Sequence, residues 1–218
     1  MDAALPTGAT SHDFFRRARA RLTLDVPPAL DDPMAEAKRG DLDLDPAMWE
    51  RAKVKATRPA AVLVPVVDRS EPTVLLTLRT ELPSHPGQIA FPGGKIEPQD
   101  SSPADAALRE AAEEIGLAPA LIEPIGYLDL YLTFSGFRIL PTVARVAPDY
   151  KLVLSEREVA DAFEVPLTFL MDVQNHALHS RDWKGVTRRY YAMPFGERYI
   201  WGVTAGILRN LYERIYEG

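Results

Sequence analysis

Residues 91–117 read "FPGGKIEPQDSSPADAALREAAEEIGL" and combine a glycine pair with a strong helix signal. Ser102 is suited to cap the N-terminus of a helix, and Pro103 then takes the first helical position, where its missing N–H costs nothing. Gly116 can adopt the left-handed conformation that closes a helix. The interior is mostly Ala, Glu, Leu and Arg, which are good helix formers. The stretch therefore predicts a helix that begins at Pro103 and ends just before Gly116.

The polar face of this helix is strongly acidic. At about 100° per residue, Glu110, Glu113 and Glu114 cluster opposite the apolar face, so we expect them to point away from the core. The like-charge pairs that Glu110 forms with the other two each cost roughly 0.2–0.5 kcal/mol, and no Lys or Arg on that face is expected to offset them. Glu113 and Glu114 also occupy the last turn, where the helix dipole favours cations. The apolar face consists of Ala104, Leu108, Ala111, Ala112 and Ile115.

Two interpretations of this acidic cluster are open. It is either a solvated helix face or a site for a hard divalent cation, which would turn the repulsion into attraction. Gly93 and Gly94 favour the second interpretation, because a glycine pair lets the backbone approach a ligand closely and offer a carbonyl to a metal or an N–H to a phosphate. Local instability of this kind is expected at functional sites. The stretch therefore favours a metal and phosphate site.

The rest of the chain predicts a mixture of strands and helices. Apolar runs separated by a turn-like segment predict a hairpin, and three later segments predict further strands. Because strands and helices do not alternate regularly, the fold class is expected to be α+β with a mixed sheet. Strands are predicted at 60–67, 73–79, 125–133, 138–146 and 187–195, and further helices at 11–22, capped by Ser11, and at 204–217.

The chain is expected to divide into two parts. Residues 1–57 form an N-terminal extension with a short helix and an acidic, proline-containing segment, and residues 58–218 form the main domain. The composition, 46% hydrophobic and 26% charged, is that of an ordinary globular protein.

Composition also excludes some functions. A formal charge of -6 argues against broad nucleic-acid binding, which needs a basic face, although a local basic pocket stays open. The absence of cysteine excludes disulfides, zinc ribbons and thiol nucleophiles, so any metal must bind to oxygen or histidine. No apolar run is long enough for a membrane span, and no secretory signal precedes the domain. We therefore expect a cytoplasmic protein without nucleic-acid or membrane partners.

The second half of the opening stretch resembles the Nudix box, G-x5-E-x7-R-E-U-x-E-E-x-G-U, where U is aliphatic. The first half departs from it. Counting back from Arg109 puts Lys95 and Ser101 at the places of the glycine and the first acid, whereas Gly94 as the box glycine puts Asp100 at the acid and makes the loop one residue longer. The matching residues are Arg109, Glu110, Ala111, Ala112, Glu113, Glu114, Ile115, Gly116 and Leu117.

The segment upstream, "LLTLRTELPSHPGQIAFPGG" at residues 75–94, resembles the branch of Nudix enzymes that cleaves coenzyme A. Thr80 replaces Ser or Ala of that signature, and the segment is one residue short and lacks its central Arg, for which His85 is a candidate substitute. The resemblance covers residues 58–217. The positions that match are Leu75, Leu76, Thr77, Arg79, Gly87, Phe91, Pro92, Gly93 and Gly94.

This resemblance implies a Nudix α/β/α sandwich around a mixed sheet. It also implies Mg²⁺- or Mn²⁺-dependent hydrolysis of the diphosphate linkage of coenzyme A, which gives 3′,5′-ADP and 4′-phosphopantetheine. The alternatives are a Nudix hydrolase of another nucleoside diphosphate derivative such as ADP-ribose, or a non-catalytic Nudix-fold binding module. ADP-ribose enzymes usually carry a proline where this chain has Leu132 and Thr133. Because the family often forms homodimers, the resemblance also allows a homodimer.

The resemblance further implies roles for individual residues. The metal ligands would be Glu110, Glu113, Glu114 and a backbone carbonyl of the glycine pair at Gly94, and Arg109 would orient the carboxylates. As a further ligand or base we expect Glu158, with Glu156 and Glu164 as alternatives. The residues expected to contact substrate are Arg79, Lys95, His85 and Gly93, although a structural ion pair is an equal alternative for Arg79. The residues that would stack on adenine, or else pack in the core, are Tyr190, Tyr191 and Trp201.

Overall fold

The computed structural model describes residues 10–32, 34–35, 37, 39–41, 43–44, 58–80, 87–183 and 186–217. Its centre is a nine-stranded mixed sheet with strand order β1-β7-β8-β2-β3-β4, in which β5 pairs with β2, β6 with β8 and β9 with β3. The strands are β1 (Arg39–Gly40), β2 (Arg58–Val67), β3 (Thr73–Arg79), β4 (Ile89–Ala90), β5 (Gly93–Lys95), β6 (Ile122–Tyr127), β7 (Tyr131–Leu132), β8 (Phe137–Val146) and β9 (Val159–Pro166).

The described residues also form a smaller sheet and four α-helices. The three antiparallel strands of the small sheet are β10 (Ala177–Trp183), β11 (Val186–Phe195) and β12 (Arg198–Trp201). The α-helices are α1 (Ser11–Arg21), α2 (Pro103–Ile115), α3 (Leu167–Met171) and α4 (Val203–Tyr212), and a π-helical turn at Glu213–Glu217 extends α4. None of the described helices is long and apolar enough to cross a bilayer.

Both faces of the large sheet are buried, because successive side chains of a strand point to opposite faces. In β2, Leu63 and Val67 pack beneath α2, whereas Val64 and Val66 belong to the cluster that α1 and α4 cover. Strands β2 and β8 run parallel, and β2 and β3 run antiparallel. This arrangement confirms the predicted α+β class and the α/β/α sandwich around a mixed sheet.

The predicted hairpin of β2 and β3 is confirmed by the antiparallel pairing of Val66 with Val74. Strands β8 and β11 and helices α2 and α4 also lie where the sequence placed them. Strand β9 was not predicted, because its alternation is weak: four consecutive positions, 161–164, are half-buried. Its pairing with β3 supplies the stabilisation that its own pattern does not show.

Two expectations were wrong in detail. The predicted strand at 125–133 is interrupted, because the N–H of Asp129 bonds to the side chain of Asn210 in α4 rather than to a neighbouring strand. The cap of α1 is Thr10 and not Ser11: the Thr10 hydroxyl accepts from the N–H of Asp13, whereas the Ser11 hydroxyl donates to Asp68.

The N-terminal segment packs into the main fold. Phe14, Phe15 and Ala18 of α1 are buried in the same core cluster as the inner side of α4. Strand β1 adds to the edge of the large sheet, beside Tyr131 and Leu132. The described part of the extension therefore shares a hydrophobic core with the main domain. The division of the chain into two parts at residue 58 stays a prediction.

The end of α2 depends on Gly116, whose φ of 66° is left-handed, as predicted. A Cβ atom at this position would lie 2.9 Å from the backbone nitrogen of Val153 and 3.0 Å from its carbonyl oxygen. Those contacts are closer than van der Waals packing allows, and Val153 belongs to a segment that crosses the helix end. Only glycine therefore fits both the dihedral angle and the space.

We expect Gly116→Ala to destabilise the protein more than Gly196→Ala. Gly196 has a similar φ of 56° but has nothing within 4 Å of the added atom, so it isolates the cost of the left-handed backbone, about 1–2 kcal/mol. The contact with Val153 should add roughly 1–3 kcal/mol at Gly116. Urea unfolding of both variants measures this difference, and equal losses of stability would contradict it.

Candidate functional site

The three glutamates of α2 occupy different environments. The side chain of Glu113 is 59% exposed and that of Glu110 is 16% exposed, whereas Glu114 is only 4% exposed as a residue. The expectation that all three point away from the core was therefore wrong for Glu114. A helical wheel gives the direction of a side chain, but it does not show which neighbouring strand covers that side chain.

Glu114 lies between two groups that stabilise its negative charge. The N–H of Gly93 in β5 donates to Oε2 of Glu114 at 3.2 Å, and a guanidinium nitrogen of Arg79 in β3 lies 3.8 Å from Oε1. Burial nevertheless raises the pKa of Glu114 to about 7, since the Gly93 N–H and Arg79 compensate only part of the lost hydration. Arg79 thus has an ion-pair contact and also faces the cavity described below.

The glycine pair makes this arrangement sterically feasible. A Cβ atom at Gly94 would lie 2.3 Å from Oε1 of Glu110, so the Glu110 carboxylate rests directly against the Gly94 backbone. A Cβ atom at Gly93 would lie 2.4 Å from the carbonyl oxygen of Ala61 in β2. Burial also raises the pKa of Glu110. Side chains at these two positions would push β5 away from both the helix and the sheet.

Arg109 links the helix to the loop before it. It donates to both carboxylate oxygens of Asp100, at 2.9 and 3.0 Å, to Glu110 at 3.0 Å and to Glu113 at 3.3 Å. It also donates to the carbonyl oxygen of Lys95 at 3.1 Å. The expectation that no cation offsets the acidic face was therefore wrong, because the guanidinium of Arg109 reaches around the helix to two of the glutamates.

Asp100 and Ser101 were the alternative positions for the first acid of the box. Asp100 is the one that contacts Arg109. The hydrogen bond from Arg109 lowers the pKa of the Asp100 carboxyl, because it outweighs the opposite effect of burial. Lys95 is exposed and meets Arg109 through its backbone carbonyl. The longer loop therefore still closes onto the arginine.

A loop after the box helix brings a fourth acid to the site. The N–H groups of Val153 and Ser155 donate to the last carbonyls of α2, at Ile115 and Glu114. Three residues further on, Glu158 is exposed. The pKa of Glu114 is raised mainly by the burial of Glu114 itself, and the negative charge of Glu158 adds to this effect. Free carbonyls at a helix end must find donors, but the sequence did not identify which segment would provide them.

Of the two alternatives to Glu158, one lies in a strand and the other in the same loop. Glu164 is in strand β9 and accepts hydrogen bonds from Arg69, Thr73 and Tyr150. Burial acts to raise its pKa, but these hydrogen bonds outweigh burial and lower it to about 2. Glu164 is thus held in a structural ion pair. Glu156 is exposed in the same loop as Glu158.

A cavity of about 690 Å³ borders the acidic site through Arg79 and Gly93, the two partners of Glu114, which both line it. Tyr190, Tyr191 and Trp201 line it as well, so the structure brings these candidates to one space with Gly93. The rings of Tyr190 and Trp201 meet edge to face, with centroids 5.4 Å apart. A cavity of this size suits a ligand as large as a nucleotide derivative. His85 lies outside the described residues.

The donors around Gly94 suit a hard cation. Carboxylate and carbonyl oxygens are the ligands that Mg²⁺ and Mn²⁺ prefer. Among the described residues, no three acidic or histidine side chains already form a metal cage, because Arg109 holds Glu113 and Gly93 holds Glu114. The chemistry of the donors thus fits the expected cation. In this structure, however, Glu113 and Glu114 bond to Arg109 and Gly93.

We expect the unusual environment of Glu114 to make the metal-free protein less stable as the pH rises from about 4.5 to 7. The folded state holds the proton up to about pH 7, whereas the unfolded chain releases it near 4.5, so the loss is about 3 kcal/mol. Glu114→Gln should remove this loss. Urea unfolding with EDTA at pH 5 and pH 8 measures it.

The matched control is Glu113→Gln, which removes the same charge at an exposed position of the same helix turn. If both variants change the pH trend equally, the effect does not come from the burial of Glu114.

Comparison with known proteins places this site in a family. A model described as "NUDIX domain" matches residues 57–184. A protein of Yersinia enterocolitica named "Uncharacterized Nudix hydrolase NudL" is 41% identical over 157 residues, which are 72% of this chain and 80% of that protein. A protein of the same name from Cronobacter sakazakii is 41% identical over 169 residues, 73% of this chain and 84% of that protein.

Solved structures include similar chains. A NUDIX hydrolase from Alicyclobacillus acidocaldarius is 20% identical, with a TM-score of 0.48, over 74% of this chain and 94% of that one. The family match covers more than half of the chain, and the site it contains has the glycine pair, the arginine and the glutamates described above. The chain therefore belongs to the Nudix family and is a Nudix hydrolase.

Proposed function

We propose that this Nudix hydrolase cleaves the diphosphate linkage of coenzyme A or its acyl derivatives, giving 3′,5′-ADP and 4′-phosphopantetheine or the acylated form. The observation that carries the proposal is the position of Gly93. It binds the buried Glu114 through its N–H and also lines the large cavity, so one residue joins the acidic site to the space for substrate.

Nudix hydrolases generally use divalent cations, and we propose Mg²⁺ or Mn²⁺ here. Glu110, Glu114 and the backbone carbonyl of Gly94 would hold the cations, with Glu113 as a further ligand. The cations supply charge neutralisation for the diphosphate and activation of water. Arg109 acts as a positioning residue, because its contacts with Asp100 and the Lys95 carbonyl fix the acidic helix relative to β5, which carries Gly94.

Residues of the chain would do the remaining work. Arg79 faces the cavity beside Glu114 and is proposed to contact a phosphate oxygen of the diphosphate. Lys95 is the second basic candidate at this edge, and the loop with His85 adjoins β4 in sequence. Glu158 is proposed as the general base, since its exposed carboxylate lies close enough to affect the protonation of Glu114 and is not held by an ion pair within the described residues.

Two features favour coenzyme A over other nucleoside diphosphate derivatives. The upstream segment of residues 75–94 is similar to that of the coenzyme A branch, and it provides Arg79 and Gly93 to the cavity wall. The cavity is also large for a plain nucleotide. ADP-ribose hydrolysis is the alternative. The cytoplasm stays the proposed location, and a homodimer stays a proposed assembly.

We expect the purified protein with Mg²⁺ or Mn²⁺ to convert coenzyme A to 3′,5′-ADP and 4′-phosphopantetheine. Mass spectrometry of the products identifies the bond that breaks, with acetyl-CoA, ADP-ribose and NADH as competing substrates. Glu114→Gln, which is nearly isosteric, should lower the rate by at least about 10²-fold while circular dichroism stays unchanged. Faster turnover of ADP-ribose than of any coenzyme A species would refute the substrate.

We expect Glu158→Gln to reduce kcat by on the order of 10²-fold or more, the usual contribution of a general base. Glu156→Gln is the matched control: it removes the same charge two residues earlier in the same loop, and it should leave kcat near the wild-type value. Initial rates at saturating coenzyme A, measured between pH 6 and 9, test this. A loss for Glu156→Gln as large as for Glu158→Gln would show that only the charge of the loop matters.

A further inference from the structure

The small sheet carries three arginines whose charges the proposed reaction does not use. Arg181 in β10 and Arg188 and Arg189 in β11 line the same cavity as Gly93 and Arg79. We call these three residues the arginine cluster. They contribute to the cavity wall from the hairpin of β10 and β11, a different element from the strands that border the acidic site.

The other cavity arginines differ from the arginine cluster because each has an acidic partner. Arg209 donates to Glu213 at 2.7 Å, Arg39 also pairs with Glu213, and Arg79 lies beside Glu114. Within the described ranges, no carboxylate lies within ion-pair distance of any member of the arginine cluster. Arg181 and Arg188 share one face of the hairpin, because they are directly opposite each other, whereas Arg189 is on the other face. In a chain with a formal charge of -6, arginines without acidic partners in the wall of one cavity make a local positive site.

The arginine cluster also lowers the stability of the hairpin. Arg181 is directly opposite Arg188 in the antiparallel pair, and like charges in this position are destabilising. The guanidinium of Arg188 is 3.8 Å from the centre of the Phe134 ring, and its buried Nε has no hydrogen-bond partner among the residues that the structure describes. A buried donor without a partner costs free energy that a bound anion would recover.

Aromatic side chains lie beside this positive site. The pairing register places Arg188 and Tyr190 on one face of β11, and Trp201 of β12, opposite Ala192, shares that face. Tyr190 and Trp201 also line the cavity. A base stacked on these rings would hold an attached ribose near the arginines, whereas the diphosphate would remain near Arg79 and Glu114.

We propose that the arginine cluster binds a phosphomonoester on the ribose of the substrate, separate from the diphosphate that is cleaved. This inference rests on the proposed function, since the 3′-phosphate of coenzyme A is such a group. A planar guanidinium group donates two parallel hydrogen bonds to two oxygens of one phosphate. The two positive charges of Arg181 and Arg188 balance a dianionic phosphate, whereas a carboxylate carries only one negative charge. The arginine cluster therefore selects substrates that carry the additional phosphate.

The first test compares kcat/KM for coenzyme A and for 3′-dephospho-coenzyme A, which differ only in this phosphate. The wild-type protein should prefer coenzyme A by about 10- to 100-fold, the range for charged hydrogen bonds to one group. Arg188→Gln and Arg181→Gln should bring this ratio close to one. Because the ratio does not depend on the fraction of protein that is folded, a partly unfolded variant still gives a valid result.

The matched control is Arg198→Gln in β12. This arginine belongs to the same sheet but pairs with Asp161 outside the cavity, so the variant should keep the wild-type ratio. A ratio near one in the wild-type protein, or a ratio that Arg188→Gln and Arg181→Gln leave unchanged, overturns the assignment. An equal loss for both substrates in those variants also overturns it, because general attraction of anions would act on both.

The second test separates this inference from the proposed function, because it needs no hydrolysis. Calorimetry without divalent cations compares adenosine 3′,5′-bisphosphate with AMP as ligands of the wild-type protein. Tighter binding of the bisphosphate, lost in Arg188→Gln, supports the arginine cluster even if coenzyme A is not cleaved. Equal affinities overturn it even if coenzyme A is cleaved. Tighter binding of the 2′,5′-isomer than of the 3′,5′-isomer overturns the choice of the 3′-phosphate.

Discussion

The site depends on a buried carboxylate that has only weak compensation. Glu114 loses its hydration on folding and receives in return one hydrogen bond from Gly93 and a distant guanidinium from Arg79. Three elements must meet within a few ångströms to provide this environment: α2, β3 and β5. The helix is held there by the apolar packing of Ala107, Ala111 and other small residues against the large sheet, so core packing supports an unfavourable electrostatic arrangement.

The C-terminal end of the same helix holds the loop that carries Glu158. Its last carbonyls accept hydrogen bonds from Val153 and Ser155, which hold the following loop in place. The carbonyl of Glu158 in turn accepts from the N–H of Thr80 at the end of β3. The loop is therefore fixed at two points, and these contacts, with the hydroxyl of Thr80 donating to the carbonyl of Arg157, keep an exposed acid near the buried one.

Local signals in the sequence predicted much of this. The helix, its cap at Ser102 and its left-handed end at Gly116 follow from residue types that act over a few positions. The burial of Glu114 and the reach of Arg109 could not be predicted in the same way, because they depend on where β5 and the preceding loop lie relative to the helix. The same holds for Arg188: its sequence neighbours do not reveal that Phe134 lies against it.

Helix α1 and the π-helical turn after α4 hold each other through arginine side chains that donate to main-chain carbonyls. Arg21 donates to the carbonyl of Arg214, and Arg214 donates to the carbonyl of Arg21, across 193 residues. During synthesis, Phe14 of α1 must therefore wait for the helix that completes its packing, which emerges last among the described elements. Contacts of such long range slow folding and leave apolar surface exposed. In the nascent protein, the apolar face of α1 is thus exposed to aggregation, far from the residues that carry the chemistry.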